Sequence, residues 1–138
     1  MLFGLIKSRP SHLILGRKGE KIARRYLRRQ KMRLLTRNYN CKYGEIDLIM
    51  QDGRELVFVE VKTRTSEKLY TAEEAVNREK QKRIIKTAHH FINHYQLGKH
   101  PCRFDIVAVI IENNKKPAIR HLRDAFTEIK STLKTEYE

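Results

Sequence analysis

The sequence predicts one mixed α/β (α+β) domain with its elements in the order αβββαββα and a central mixed sheet flanked by helices. Three observations carry that expectation. Apolar residues recur at helical spacing in two stretches, around Ile22–Leu27 and Val76–Tyr95. Between and after them lie short runs rich in Val, Ile, Leu and Phe, one pair of which is joined by the turn signal Asp52, Gly53. The chain has 138 residues, 40% of them hydrophobic, which suits a single domain with a real core.

Taken in order, residues 1–15 give no clear period and are interrupted by Pro10, so a loose N-terminal arm is expected, with the domain spanning 16–138. A helix follows from Gly16 to about Met32. Ile22, Ala23, Tyr26 and Leu27 form its apolar stripe, and Arg17, Lys21, Arg24 and Arg28 form a basic stripe on another face. Glu20 falls on the border between the two. Leu34 to Cys41 reads as a strand, and Gly44–Arg64 supplies two more. Thr71 and Glu74 match a capping box that would open a long helix reaching about Tyr95, with Val76, Ile84, Ala88, Phe91, Ile92 and Tyr95 inward. Phe104–Ile111 is nearly continuous apolar sequence and should be a buried strand. Asn113, Asn114 and Pro117 mark a turn, Ala118–Leu122 an edge strand, and Asp124 the cap of a last helix from Ala125 to about Leu133.

Net charge is +14, and its distribution is uneven: residues 1–43 hold thirteen Lys or Arg and one acid, whereas 44–138 are nearly balanced. Such asymmetry points to a polyanionic partner, because phosphates attract Lys and Arg by counterion release whatever the base sequence. The opening MLFGLI is too short for a signal core or a membrane span, so no membrane is expected and the cytoplasm is the expected location. Cys41 and Cys102 are then expected as free thiols.

The hairpin carries the chemistry. With Asp52 and Gly53 as its loop, Ile46, Leu48 and Met50 share an apolar face with Val57, Val59 and Val61. The other face gathers Glu45, Asp47, Glu60 and Lys62 beside Ile49, Leu56 and Phe58. Charges covered by such apolar neighbours need partners. Asp47 and Glu60 fall diagonally across the strands, near enough to share a divalent cation, with Lys62 two residues further along. Two carboxylates and an ammonium beside a phosphate-seeking surface suggest metal-assisted phosphodiester hydrolysis. An ordinary cross-strand ion pair on a solvated face is the competing reading.

These residues resemble known proteins. Asp47 on one strand and Glu60, Val61, Lys62 on the next resemble the PD-(D/E)XK nuclease superfamily, as does the element order. That resemblance implies a restriction-endonuclease-like core. The segments GRKGEKIARRYL, RNYNCKYGEIDLIM, FVEVKTR, AVNREKQKRI and RFDIVAV look more closely like the YraN-like family of uncharacterised bacterial proteins, over about residues 16–112. Two departures stand out: Ile46 replaces the superfamily's proline before the first acid, and SEKLYTAEEAV lacks the family's usual glycine. Glu20 resembles the additional metal-site acid of archaeal Holliday junction resolvases. The resemblance implies Glu20, Asp47 and Glu60 as Mg2+ or Mn2+ ligands and Lys62 as the catalytic lysine. Lys80 is assigned to phosphate contact, and Arg17, Lys21, Arg24, Arg28, Arg37 and Arg64 to the nucleic-acid backbone. DNA is expected over RNA, with structure preferred to base sequence. Likeness to junction resolvases also points to a homodimer, since two symmetric cuts need two sites. The alternative is a non-catalytic nucleic-acid-binding protein on a nuclease-like scaffold; association with RNA or the ribosome through the Arg-rich helix is a third reading.

Other candidates are weaker. His90 and His94 stand at i, i+4 but no third ligand accompanies them, so an exposed pair that binds no metal is expected. Asp105 interrupts a buried strand and should pair with Arg103 or Arg64. Tyr39, Tyr43 and Arg37 either pack a sheet edge or flank nucleotides. Gly16–Gly19, near the expected helix start, offers N–H groups to a phosphate, but the chain lacks the GxxxxGK[ST] pattern of nucleotide hydrolases.

Overall fold

The computed structural model describes residues 11–68 and 71–128. The elements are α1 (Ser11–Arg29), β1 (Arg33–Cys41), β2 (Gly44–Asp52), β3 (Glu55–Arg64), a 3-10 turn (Glu73–Ala75), α2 (Arg78–His94), β4 (Cys102–Ile110) and β5 (Ala118–Phe126). The strands form one mixed sheet in the order β1-β2-β3-β4-β5, in which only β3 and β4 are parallel. The parallel pair is made by the crossover through α2, the connection such a pair requires. The expected mixed α/β fold is therefore observed. No described helix is long and apolar enough to cross a membrane.

One helix covers each face of the sheet. Under α1, Ala23 and Leu27 pack with Leu48, Met50, Val57, Val59, Val107 and Val109. Under α2, Ile84, Ala88 and Phe91 pack with Ile49, Leu56, Phe58, Phe104 and Ile106. Phe58 is wholly buried, its ring 6.0 Å from that of Phe91 and 5.6 Å from that of Phe104. Removing such a ring costs about 3–5 kcal/mol. Both helices stop in the same way. Met32 donates its N–H to Leu27 and Lys31 to Arg28; Leu97 donates to Ile92 and Gln96 to Asn93. Lys31 and Gln96 take positive φ (66° and 55°), closing Schellman motifs without glycine.

Several boundaries differ from those expected. α1 begins at Ser11, so residues 11–15 belong to the helix and not to an arm; residues 1–10 lie outside the described set. Gly16 and Gly19 are thus helix-interior residues and offer no free N-terminal amides. The capping box forms reciprocally, the Thr71 N–H to Glu74 at 2.8 Å and the Glu74 N–H to Thr71 at 3.3 Å, but it opens only the 3-10 turn. The long helix starts at Arg78, capped by Asn77 accepting from the Lys80 N–H. Val76 is buried in the link between the two. The hairpin loop is Gly53–Arg54, with Asp52 opposite Glu55. Gly53 adopts φ 61°, open to glycine at no steric cost. This moves the pairing by two residues and leaves the parity of the faces intact. β5 runs through Asp124 to Phe126, where the start of a last helix was expected; residues 129–133 of that helix lie outside the described set.

Candidate active site

The paired register of β2 and β3 runs from Asp52↔Glu55 to Leu48↔Val59. Beyond it, the Asp47 carboxylate accepts the Val61 N–H at 2.8 Å. A side chain therefore takes a backbone donor next to the end of the ladder. Ile46, just before, joins the cluster under α2, not the one under α1 where alternation had placed it. The faces switch across Asp47, and this opens the sheet where the ionisable residues lie.

Glu60 is buried on β3, facing α2. Its carboxylate meets Lys80 Nζ at 2.9 Å, delivered by the first turn of α2, and Lys62 Nζ at 3.6 Å. Burial, then the charge of Glu60, pushes the Asp47 carboxyl up to about 7; the Val61 bond offsets part of this, Glu20 adds to it, and Lys80 opposes it. Burial likewise lowers Lys62, helped by Lys80 and opposed by Glu60. Burial would lower Lys80 too, but its hydrogen bonds to Lys62 and Glu60 leave it above the ordinary lysine value. The two amines thus sit close together with opposite tendencies, Lys62 toward neutral and Lys80 toward charged.

Asp47 and Lys62 open into a cavity of about 300 Å³, walled on the helix side by Glu20, Gly16, Leu15 and His12 of α1 and on the strand side also by Thr63 and Arg64. Gly19 makes this approach feasible: a Cβ there would lie 1.9 Å from Thr63 Oγ1. Burial raises the Glu20 carboxyl, while Arg37 and a hydrogen bond with Asn38, both on β1, oppose it. Asn38 reaches Glu20 from a left-handed conformation, φ 52°.

The structure thus brings together Asp47, Glu60, Lys62 and Lys80, with Glu20 lining the same cavity as Asp47. Among the described residues no three His, Cys, Asp or Glu side chains gather closely enough to hold one ion, so the three acids do not form a closed ligand set. Lys80 is bound to Glu60 and is not a free surface lysine. Arg17, Lys21 and Arg28 are exposed on α1, Arg24 is half-buried there, and Arg37 is exposed on β1. Arg64 lines the cavity and donates to the Thr63 carbonyl at 2.9 Å. Away from the site, Asp105 is fully buried and pairs with Arg103 at 3.0 Å, as expected. His121 at 2.8 Å and the Asp124 N–H at 3.0 Å complete its partners. His90 is half-buried and bonded to the Tyr39 hydroxyl at 2.6 Å, contrary to the exposed position expected. Neither the Gly19 contact nor the Asn38 brace is legible in the sequence. Only the pairing of Gly19 with the adjacent Glu20 hinted that the helix must come close there.

Comparison with known proteins places the chain. A family model described as uncharacterised protein family UPF0102 matches residues 19–109, a span that holds Glu20, Asp47, Glu60, Lys62 and Lys80. A UPF0102 protein of Nitrosomonas europaea is 42% identical over 113 residues, covering 82% of this chain and 93% of the relative. One from Herminiimonas arsenicoxydans is 47% identical over 105 residues (76% and 84%), and one from Geotalea uraniireducens 40% over 120 residues (87% and 94%). The chain belongs to the UPF0102 family, the YraN-like group whose motifs it carries.

Proposed function

We propose that this protein is a divalent-metal-dependent nuclease that hydrolyses DNA phosphodiester bonds, selecting branched or single-stranded structure over base sequence. The observation that carries this reading is the meeting of Asp47, Glu60 and Lys62 beside a cavity walled by the basic helix α1. The donors suit a hard cation such as Mg2+ or Mn2+. They are oxygens, and burial together with the charge of Glu60 makes ionisation of Asp47 costly, a cost that a cation would offset. Asp47 and Glu60 would hold the ion, with Glu20 acting from the cavity wall. When bound, such an ion supplies charge to the scissile phosphate and acidifies water.

The chain's own residues do the rest. Lys62, with its proton affinity lowered, suits receipt of the proton that the attacking water sheds as its oxygen bonds to phosphorus. The phosphorus–oxygen bond to the leaving nucleotide breaks, its oxygen departing with the bonding pair and taking a proton from water, and Lys80, charged and adjacent, suits stabilisation of the phosphate oxygens. Arg17, Lys21, Arg24 and Arg28 would track the backbone without reading bases. A homodimer would present two such cavities to two strands.

The test is a cleavage screen of duplex, single-stranded, flap and four-way DNA with Mg2+ or Mn2+, run beside Asp47→Asn and Lys62→Ala proteins. Wild type should cut at least one substrate, and each variant should lose about 100-fold or more, the scale of a single catalytic group. Equal cleavage by all three proteins would refute the assignment.

One observation favours a second reading. Glu60 already has two ammonium partners, so the cluster is chemically satisfied as an ion pair. A DNA-binding protein on a nuclease-like scaffold would bind the same substrates and cut none of them.

A further inference from the structure

We propose that a basic stripe winding along α2 is a docking strip for single-stranded DNA, leading from the acid–lysine cluster to an aromatic end. The proposal rests on the polyanion-binding part of the reading above and is independent of cleavage. Arg78, Lys82, Lys86, His90 and His94 recur at every fourth residue. On a helix each such step turns about 40°, so the stripe winds about 160° around the axis over about 24 Å from Arg78 to His94. Arg78, Lys82 and Lys86 are exposed, and none forms an ion pair among the described residues. α1 lies on the opposite face of the sheet, so this is a second basic surface.

The far end of the strip is aromatic. The His90 and His94 rings lie nearly parallel, 6.2 Å apart at 6°. Tyr95 sits edge-on to His94 at 4.8 Å and against Phe91 at 4.9 Å, yet remains 55% exposed. The Tyr39 hydroxyl braces His90. His94 and Tyr95, exposed and held by the neighbouring His90 and Phe91 rings, are a preorganised stacking surface. A duplex hides its base faces and offers only phosphates to such a surface. An unpaired strand offers both phosphates and base faces, which is the pairing of cations with rings seen here. The near end of the strip is the first turn of α2, whose Lys80 contacts Glu60. At about 3.4 Å per stacked nucleotide the strip would span on the order of seven.

Fluorescence anisotropy with a labelled 15-nucleotide single strand and the matching duplex, both in EDTA, tests this without engaging cleavage. Tyr95→Ala should weaken single-strand binding about 10-fold or more and leave duplex binding within about twofold, with Tyr95→Phe restoring it. Lys82→Ala with Lys86→Ala should lower the slope of log affinity against log salt by about 1.4 for the single strand, about 0.7 for each lost phosphate contact. Equal effects of Tyr95→Ala on both ligands, or an unchanged slope in the double variant, would overturn the proposal. Failure of the nuclease reading would show instead as intact binding here with no cutting when metal is added.

Discussion

Asp47 sits where burial and the neighbouring Glu60 both oppose its ionisation, while the Val61 N–H holds its carboxylate in place. Its folded value of about 7 lies above the unfolded value near 4, so between those limits the native state binds the extra proton. Stability should therefore fall as pH rises from about 4 to about 7 and level off above. Asp47→Asn keeps an acceptor for Val61 and removes the charge. In urea unfolding with EDTA the variant should be more stable than wild type at pH 8, on the order of 1–3 kcal/mol, and the two should converge only below about pH 4. A less stable variant at pH 8 would show that the carboxylate is well compensated in the resting protein. Lys80 is the residue whose role changed most between sequence and structure. Its number placed it one turn beyond Val76, but its bond to Glu60 depends on where α2 begins, and the capping box at Thr71 pointed to the wrong start.

Among the elements, α1 and β3 are held at close approach by Gly19 against Thr63. Gly19→Ala should cost about 1–3 kcal/mol by overpacking. Thr63→Ala should recover part of that loss in a double-mutant cycle read by thermal unfolding; strictly additive effects would contradict the contact. The hairpin shows what alternation can and cannot reveal. Leu48, Met50, Val57 and Val59 lie on the face expected, because moving the loop from Asp52–Gly53 to Gly53–Arg54 shifts the pairing by two residues and preserves parity. Ile46 does not, because the faces switch at Asp47, whose side chain serves a backbone donor on another strand. That bond is non-local and leaves no period behind. β5 runs past the expected end at Leu122 for the same kind of reason. Asp124 resembles a helix cap, but in the fold its N–H serves Asp105, nineteen residues earlier, and it adopts φ 51° within the strand.

At the scale of the whole molecule, two buried charge centres contrast. Around Asp105, burial would raise the carboxyl, but His121, Arg103 and the Asp124 N–H outweigh it and leave it below the ordinary range. A depressed acid adds stability above its unfolded value, and that contribution is lost as pH falls through the folded one. The protein should therefore lose stability below about pH 4, and Asp105→Ala should cost about 1–3 kcal/mol at neutral pH by taking the buried acceptor from His121 and the Asp124 N–H, while Arg103 keeps Asp52 and Glu55. An Asp105→Ala protein unfolding at the wild-type temperature would contradict this. Asp47 is the opposite case, a carboxyl pushed up by burial and by Glu60 beside an open cavity. The fold class and the acid–lysine set were legible because patterning and residue type carry them. The cavity, the Asn38 brace and the Lys80 bond were not, since they arise only when α1, β1 and α2 converge on one end of the sheet.

Calorimetric titration of Mn2+ into the purified protein at pH 7 tests most directly whether Asp47 and Glu60 hold a divalent cation. Because Asp47 is partly protonated there, binding should release protons and the apparent heat should vary with the ionisation enthalpy of the buffer. Asp47→Asn should lose both the binding and the buffer dependence. Absence of saturable binding in wild type, or binding that survives the substitution unchanged, would contradict the account.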